Sequence, residues 1–233
     1  MKKLVIIPAY NEERSIIKQC SEVIDTGGYD IIVVNDGSRD ATLQLCRENG
    51  IKVLDLAVNL GIGGAMQAGY RYALQRGYDI AVQVDGDGQH DPAFLGAMYD
   101  ALISQNADMV IGSRFIENEG YQSTASRRLG IRYFSGLMGI LTGQALTDPT
   151  SGFRMVGREL IREFAANYPH DYPEPESAVR LLLQNRKILE IPVKMRERSG
   201  GRSSIGLKGS VYYMIKVTLA ILLERMRKNE HTS

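Results

Sequence analysis

Charge imbalance is nearly absent from this chain. Its 28 basic and 27 acidic residues leave a formal net charge of +1, which removes any global drive towards nucleic acid. Cysteine is equally scarce. Cys20 and Cys46 fall within expected helices and show no paired spacing, which argues against a disulfide framework or a zinc knuckle and fits a reducing cytosol. No long apolar segment or small-residue cleavage site follows Met1-Lys2-Lys3, so no secretory signal is expected. Internal repeats, low-complexity tracts and a convincing linker are missing too. What remains is 233 residues, 44% apolar and 24% charged, ordinary values for a soluble globular chain with an ample core.

Apolar runs alternate with helical patterns. Leu4–Ile7, Ile31–Val34, Lys52–Leu54, residues 80–84 and Met109–Ile111 read as strands. Helices are expected to about Ile24, from about Asp40, to about Arg76 and from near Pro92. The strands are continuous apolar runs, as expected when helices cover both sheet faces. Such alternation predicts a doubly wound, mostly parallel α/β sheet, whose ligands collect beyond the carboxyl ends of the strands. From about residue 115 the pattern turns irregular, with one further strand near Leu189–Val193.

The polar punctuation sits at those strand ends. Asp85-Gly86-Asp87-Gly88-Gln89-His90-Asp91-Pro92 follows the fourth strand directly. Carboxylates this close repel unless a cation or hydrogen bonds hold them. A hard divalent ion, Mg²⁺ or Mn²⁺, held by few carboxylates and completed by phosphate oxygens, explains the pair. A solvated Asp/Gly turn explains it as well. Pro8-Ala9-Tyr10-Asn11-Glu12 follows the first strand and Asn35-Asp36-Gly37-Ser38 the second. Tyr10 can seat a ring, and Glu12 and Asp36 can accept hydrogen bonds, whereas Asn11 and Ser38 also suit helix N-caps. Asn59-Leu60-Gly61-Ile62-Gly63-Gly64 opens the third helix, where free N–H groups can face an anion. A dinucleotide fingerprint belongs after the first strand, so this Gly pair is discounted.

These segments occur in order with Gly61–Gly69, Gly112-Ser113-Arg114 and Thr150-Ser151-Gly152-Phe153-Arg154. Together they resemble family-two glycosyltransferases of the GT-A fold, specifically the dolichyl-phosphate mannose synthase-like branch, over roughly residues 3–205. The resemblance implies one GT-A domain, residues 1–205, with a Rossmann-like nucleotide-binding half joined to an acceptor-side half; residues 206–233 read separately as a C-terminal amphipathic helix and tail. It implies inverting transfer of a hexose from a UDP- or GDP-linked sugar to a polyprenyl phosphate, with Mg²⁺ or Mn²⁺ at an Asp-x-Asp element. By position, Asp87 resembles the direct metal ligand and Asp85 the residue shared between metal and donor ribose. Pro8, Ala9, Tyr10, Glu12, Asp36, Gly86 and Gln89 resemble the rest of the donor site. Arg114 and Arg198 are candidate pyrophosphate clamps, because a guanidinium matches phosphate oxygens bidentately. Each can also be read, less readily, as a solvated surface cation.

The sequence departs from that branch in one charged position. A lysine usually stands six residues after the arginine matching Arg198, and Ser204 stands there instead. Arg202, in the same Ser199–Ser204 loop, is the candidate replacement. Asp148 can act as general base towards a saccharide hydroxyl, or bind and position a lipid phosphate that needs no base, or simply shape a turn. Glu174 and Glu176 open an expected helix and favour its dipole; His90 is placed beside the metal motif as a supporting residue. Many relatives continue into transmembrane helices, whereas here the apolar stretch Val211–Leu223 is too short to span a bilayer and is followed by Arg225, Arg227 and Lys228. It reads as an interfacial helix on the cytoplasmic membrane face, or as a helix packed on the domain, a second copy or a membrane-protein partner. A saccharide-acceptor enzyme and a non-catalytic nucleotide-sugar-binding subunit are the alternatives.

Overall fold

The computed structural model describes residues 1–117, 119–120 and 125–197, together with the helical residues 216, 218, 219 and 222. Each apolar run forms a strand. These are β1 (Lys3–Ala9), β2 (Asp30–Asn35), β3 (Val53–Asp55), β4 (Ile80–Gln83), β5 (Met109–Ser113) and β7 (Ile188–Pro192), with a further strand, β6 (Arg154–Gly157). Between them lie α1 (Ile16–Thr26), α2 (Thr42–Glu48), α3 (Gly61–Gln75), α4 (Leu95–Ser104), α5 (Ala125–Thr142), α6 (Arg158–Ala166) and α7 (Pro173–Leu183). A single 3-10 turn, Pro92–Phe94, leads into α4, capped by the Asp91 side chain.

The strands form one sheet in the order β3-β2-β1-β4-β6-β5-β7. The first four are parallel, β5 and β7 are parallel, and β6 runs antiparallel between β4 and β5. The expectation of a mostly parallel sheet therefore holds, with one reversed strand in the region where the sequence pattern turns irregular. β6 is four residues long and begins with a buried arginine, so hydropathy does not mark it.

Both faces of the sheet are covered, which is why the strands are apolar throughout. Leu4 and Ile6 join a core with Met66, Tyr70, Phe134, Leu160 and Phe164 on the side of α3, α5, α6 and α7. Val5 and Ile7 join Ile16, Cys20, Leu95 and Met98 on the side of α1 and α4. Each fully buried aliphatic side chain stabilises the fold by about 1.5–3 kcal/mol. Gly63, Gly64 and Gly69 of α3 serve close packing: a β-carbon at Gly63 would run into the carbonyls of Pro169 and His170. Cys20 and Cys46 are buried on α1 and α2, and burial, with Cys46 nearby, pushes the Cys20 thiol up to about 12.

The domain boundary expected at residues 205 and 206 falls outside the described residues. Of the C-terminal segment, Leu219 and Leu222 are exposed, and the Thr218 hydroxyl lies 3.2 Å from that of Tyr133 on α5. Among the described residues no helix is long and apolar enough to cross a membrane.

Candidate active site

β2, β1 and β4 are parallel neighbours, so the loops that follow them gather at one edge of the sheet, beyond the carboxyl ends where such sheets bind ligands. The loops there are tied to one another. Pro8 and Ala9 are buried and Tyr10 is exposed. Asn11 and Ser38, suited by type to cap helices, instead bridge the first two loops. The Asn11 N–H donates to the Ser38 hydroxyl at 3.0 Å and the Arg39 N–H donates to Asn11 Oδ1 at 2.8 Å. Glu12 donates its N–H to Thr42 at 2.8 Å and accepts from the Ser15 hydroxyl through Oε2. The anion expected at the start of α3 is supplied by the chain itself, because the Leu60 N–H donates to Asp36 Oδ1 at 2.7 Å. Asp36 is thus a fixed, buried carboxylate at the end of β2.

Asp85, Gly86 and Asp87 emerge from β4 as expected. Asp87 is 3% exposed and its Oδ1 accepts from the Gln89 N–H at 3.0 Å. Asp85 is a third exposed at its side chain. Gln83 Nε2 donates to its Oδ1 at 3.0 Å, and His90 Nε2 lies 3.6 Å from Oδ2. His90 also accepts the Asp85 N–H on Nδ1 at 3.0 Å and stacks on Phe153 at 4.9 Å. The histidine therefore supports the carboxylate loop from behind. A β-carbon at Gly152 would sit 3.4 Å from both Asp85 oxygens, so glycine keeps that face of the carboxylate open. Among the described residues no cluster of three or more His, Cys, Asp or Glu could hold an ion. Two carboxylates with one open face fit a hard divalent ion that completes its shell with phosphate oxygens and water.

The part of the chain that follows β5 is organised around a buried ion pair. Arg114 Nε and Nη2 donate to Asp148 Oδ2 and Oδ1 at 2.6 and 2.7 Å. The Arg114 N–H reaches Oδ2, and the Thr150 hydroxyl reaches Oδ1, both at 3.3 Å. A carboxylate has about four acceptor positions, and all four are occupied in a residue with no solvent exposure. The Ser151 hydroxyl donates to the Gly112 carbonyl at 2.7 Å, stitching β5 to the loop before β6. Arg198 and Arg202 lie outside the described residues. Glu174 and Glu176 open α7 as expected.

Arg154, quoted above only as the end of a motif, and Glu190, which motif reasoning passes over, complete this part of the site. Arg154 is 1% exposed and donates to the carbonyls of Ser151, Glu174 and Pro149 at 2.7–2.8 Å and to the Ser177 hydroxyl at 3.0 Å. It holds the 149–151 loop against α7. Glu190 on β7 accepts from the N–H groups of Thr147 and Asp148 at 2.6 and 2.8 Å. Its carboxyl is pushed up by burial and by the nearby Asp148, against the lowering effect of those hydrogen bonds. The carboxylate inside the apolar strand Ile188–Pro192 was the available signal.

The raised Glu190 carboxyl sets the sign of a pH effect. In the folded state this group holds its proton to higher pH than in the unfolded chain, so its contribution to stability falls as pH rises through that window. Wild type should lose stability relative to Glu190→Gln as pH climbs from the ordinary glutamate value, read by urea unfolding at each pH. A difference independent of pH would contradict the burial argument.

Comparison with known proteins places this arrangement. The family model of glycosyl transferase family 2 matches residues 4–164. The chain belongs to that family. It is 32% identical over 215 residues to an undecaprenyl-phosphate mannosyltransferase of Micrococcus luteus, covering 88% of each. It is 29% identical to a polyprenol monophosphomannose synthase of Mycolicibacterium smegmatis, over 93% of this chain and 85% of that one. A UDP-N-acetylglucosamine–dolichyl-phosphate N-acetylglucosaminyltransferase of Methanococcus voltae is 30% identical over 82% and 84%. Among solved structures, glucosyl-3-phosphoglycerate synthase of Mycobacterium tuberculosis, in complex with Mn²⁺, UDP and phosphoglyceric acid, superposes with a TM-score of 0.69. Identity there is 20%, covering 96% of this chain and 78% of that one, which establishes the GT-A fold. This family-two member is therefore a glycosyltransferase.

Proposed function

We propose that this glycosyltransferase moves a hexose, with inversion, from a UDP- or GDP-linked sugar to a polyprenyl phosphate at the cytoplasmic face of a membrane. Asp87 and Asp85 would hold Mg²⁺ or Mn²⁺ against the donor pyrophosphate. The ion supplies counter-charge to the leaving nucleotide diphosphate. Pro8, Ala9, Tyr10, Glu12 and Asp36 bound the base and ribose, and Gly86 and Gln89 shape the loop that carries the carboxylates. Arg198 and Arg202 follow β7 in sequence and are the proposed phosphate clamps. The C-terminal helix would bring the enzyme to its lipid substrate.

The observation that supports this acceptor class is the state of Asp148. A saccharide hydroxyl needs a base with a free lone pair, and every acceptor position of Asp148 is taken by Arg114 and Thr150. A phosphate arrives ionised and needs no proton removed. Asp148 then serves by fixing Arg114 at the end of β5, and the relatives named for undecaprenyl, polyprenol and dolichyl phosphates agree with that class.

The test is a panel of UDP- and GDP-linked sugars labelled in the sugar, supplied with Mn²⁺ and membranes containing polyprenyl phosphate. Label should enter the organic phase for one donor, only with metal present. Label recovered in a water-soluble saccharide instead would overturn the lipid-phosphate reading. Donor binding without any turnover would favour a non-catalytic subunit.

A further inference from the structure

Gln83 is the last residue of β4 and is 1% exposed. Its neighbours Ile80, Ala81, Val82 and Val84 are all buried and apolar. The amide is half satisfied: Nε2 donates to Asp85 Oδ1 at 3.0 Å, while Oε1 is buried without a hydrogen-bond partner. Across the sheet, Gln83 pairs with Arg154, but the Arg154 N–H groups are directed to Pro149, Ser151, Glu174 and Ser177. A buried carbonyl left unmatched costs stability, which an apolar side chain of the same shape would not. The backbone opposite makes room for this amide, since a β-carbon on Gly152 would stand 2.6 Å from Nε2.

We propose that Gln83 is a positioning residue for the donor-side metal, holding the Asp85 carboxylate in one orientation at the expense of fold stability. The inference rests on the reading of Asp85 as a metal-site carboxylate. Asp85 is partly exposed and otherwise steadied at its side chain by His90 at 3.6 Å. The neutral amide fixes one oxygen without neutralising the charge that attracts the ion, and Gly152 leaves the other face open. Groups that orient metal ligands in this way change metal affinity by about 10–100-fold when removed.

The distinguishing feature is that stability and metal affinity should move in opposite directions. In Gln83→Met, close in length but lacking the donor, Mn²⁺ uptake in the presence of UDP or GDP, followed by electron paramagnetic resonance, should weaken about 10–100-fold. The melting temperature of the metal-free protein should hold or rise. Gly152→Ala, which displaces the amide from the other side, should weaken Mn²⁺ uptake in the same direction. Unchanged Mn²⁺ affinity in Gln83→Met, where wild type binds, overturns the proposal alone. A lower melting temperature or loss of folding in Gln83→Met overturns the exchange of stability for orientation. Wild type that takes up no Mn²⁺ with either nucleotide overturns the underlying metal reading and this inference with it.

Discussion

Asp87→Asn should leave the fold intact and lower turnover by roughly 10²–10³-fold or more, the cost of removing one preorganised electrostatic group from developing charge. Asparagine retains the Oδ1 that accepts the Gln89 N–H at 3.0 Å, so the loop keeps its shape. What disappears is the negative charge of a buried carboxylate proposed to hold the ion that would offset the pyrophosphate. The melting temperature of the variant should match wild type while kcat collapses at saturating donor and metal. Near-wild-type turnover, with metal still required, would remove Asp87 from the ligand set.

The second large effect lies at the Arg114–Asp148 pair. Breaking a buried pair from one side strands the other charge and costs about 3–5 kcal/mol. Asp148→Ala should therefore show that loss in urea unfolding, together with a large loss of activity. Replacing both partners, as in Arg114→Met with Asp148→Leu, should recover much of the stability, because a matched apolar pair leaves nothing unpaired. It should not recover activity, because the arginine at the end of β5 is gone. Asp148→Asn separates the acceptor classes further. A base would show a 10²–10⁴-fold fall in turnover and a lost acidic limb in the pH–rate profile, with acceptor affinity intact. That combination would replace the lipid phosphate with a hydroxyl acceptor.

These predictions draw on features of unequal visibility. β1, β2, β4, β5 and β7 are legible because strands covered on both faces must be apolar at every position, as Leu4–Ile7 and Met109–Ile111 are. β6 escapes that logic. Arg154 stands where hydropathy expects an aliphatic residue, and its charge is carried by carbonyls and a hydroxyl supplied from distant parts of the chain. The same contrast holds in the site. Asp85 and Asp87 announce themselves by closeness in sequence and by following a strand. Arg114 and Asp148 can each be picked out singly, but not that they face one another across 34 positions, since local pattern carries no record of partner choice. The bridge between Asn11 and Ser38 is hidden for a related reason: suitability as a cap is a local property, whereas the bridge forms only when β1 and β2 lie side by side.

The reversed strand also imposes an order of events. β3, β2, β1 and β4 are complete by Gln83, and apart from β6 their pairings lie within that stretch. The far edge of β4, however, is closed by Arg154–Gly157, so its hydrogen bonds wait until some seventy further residues exist. During synthesis these four strands can assemble while that edge stays bare, and a bare edge is a template for pairing with another chain. Closing so long a loop adds an entropic delay before the contacts that reward it. Residues 84–153, which carry both Asp85 and Asp148, must therefore find their places between two strands that meet only after all of them have been made.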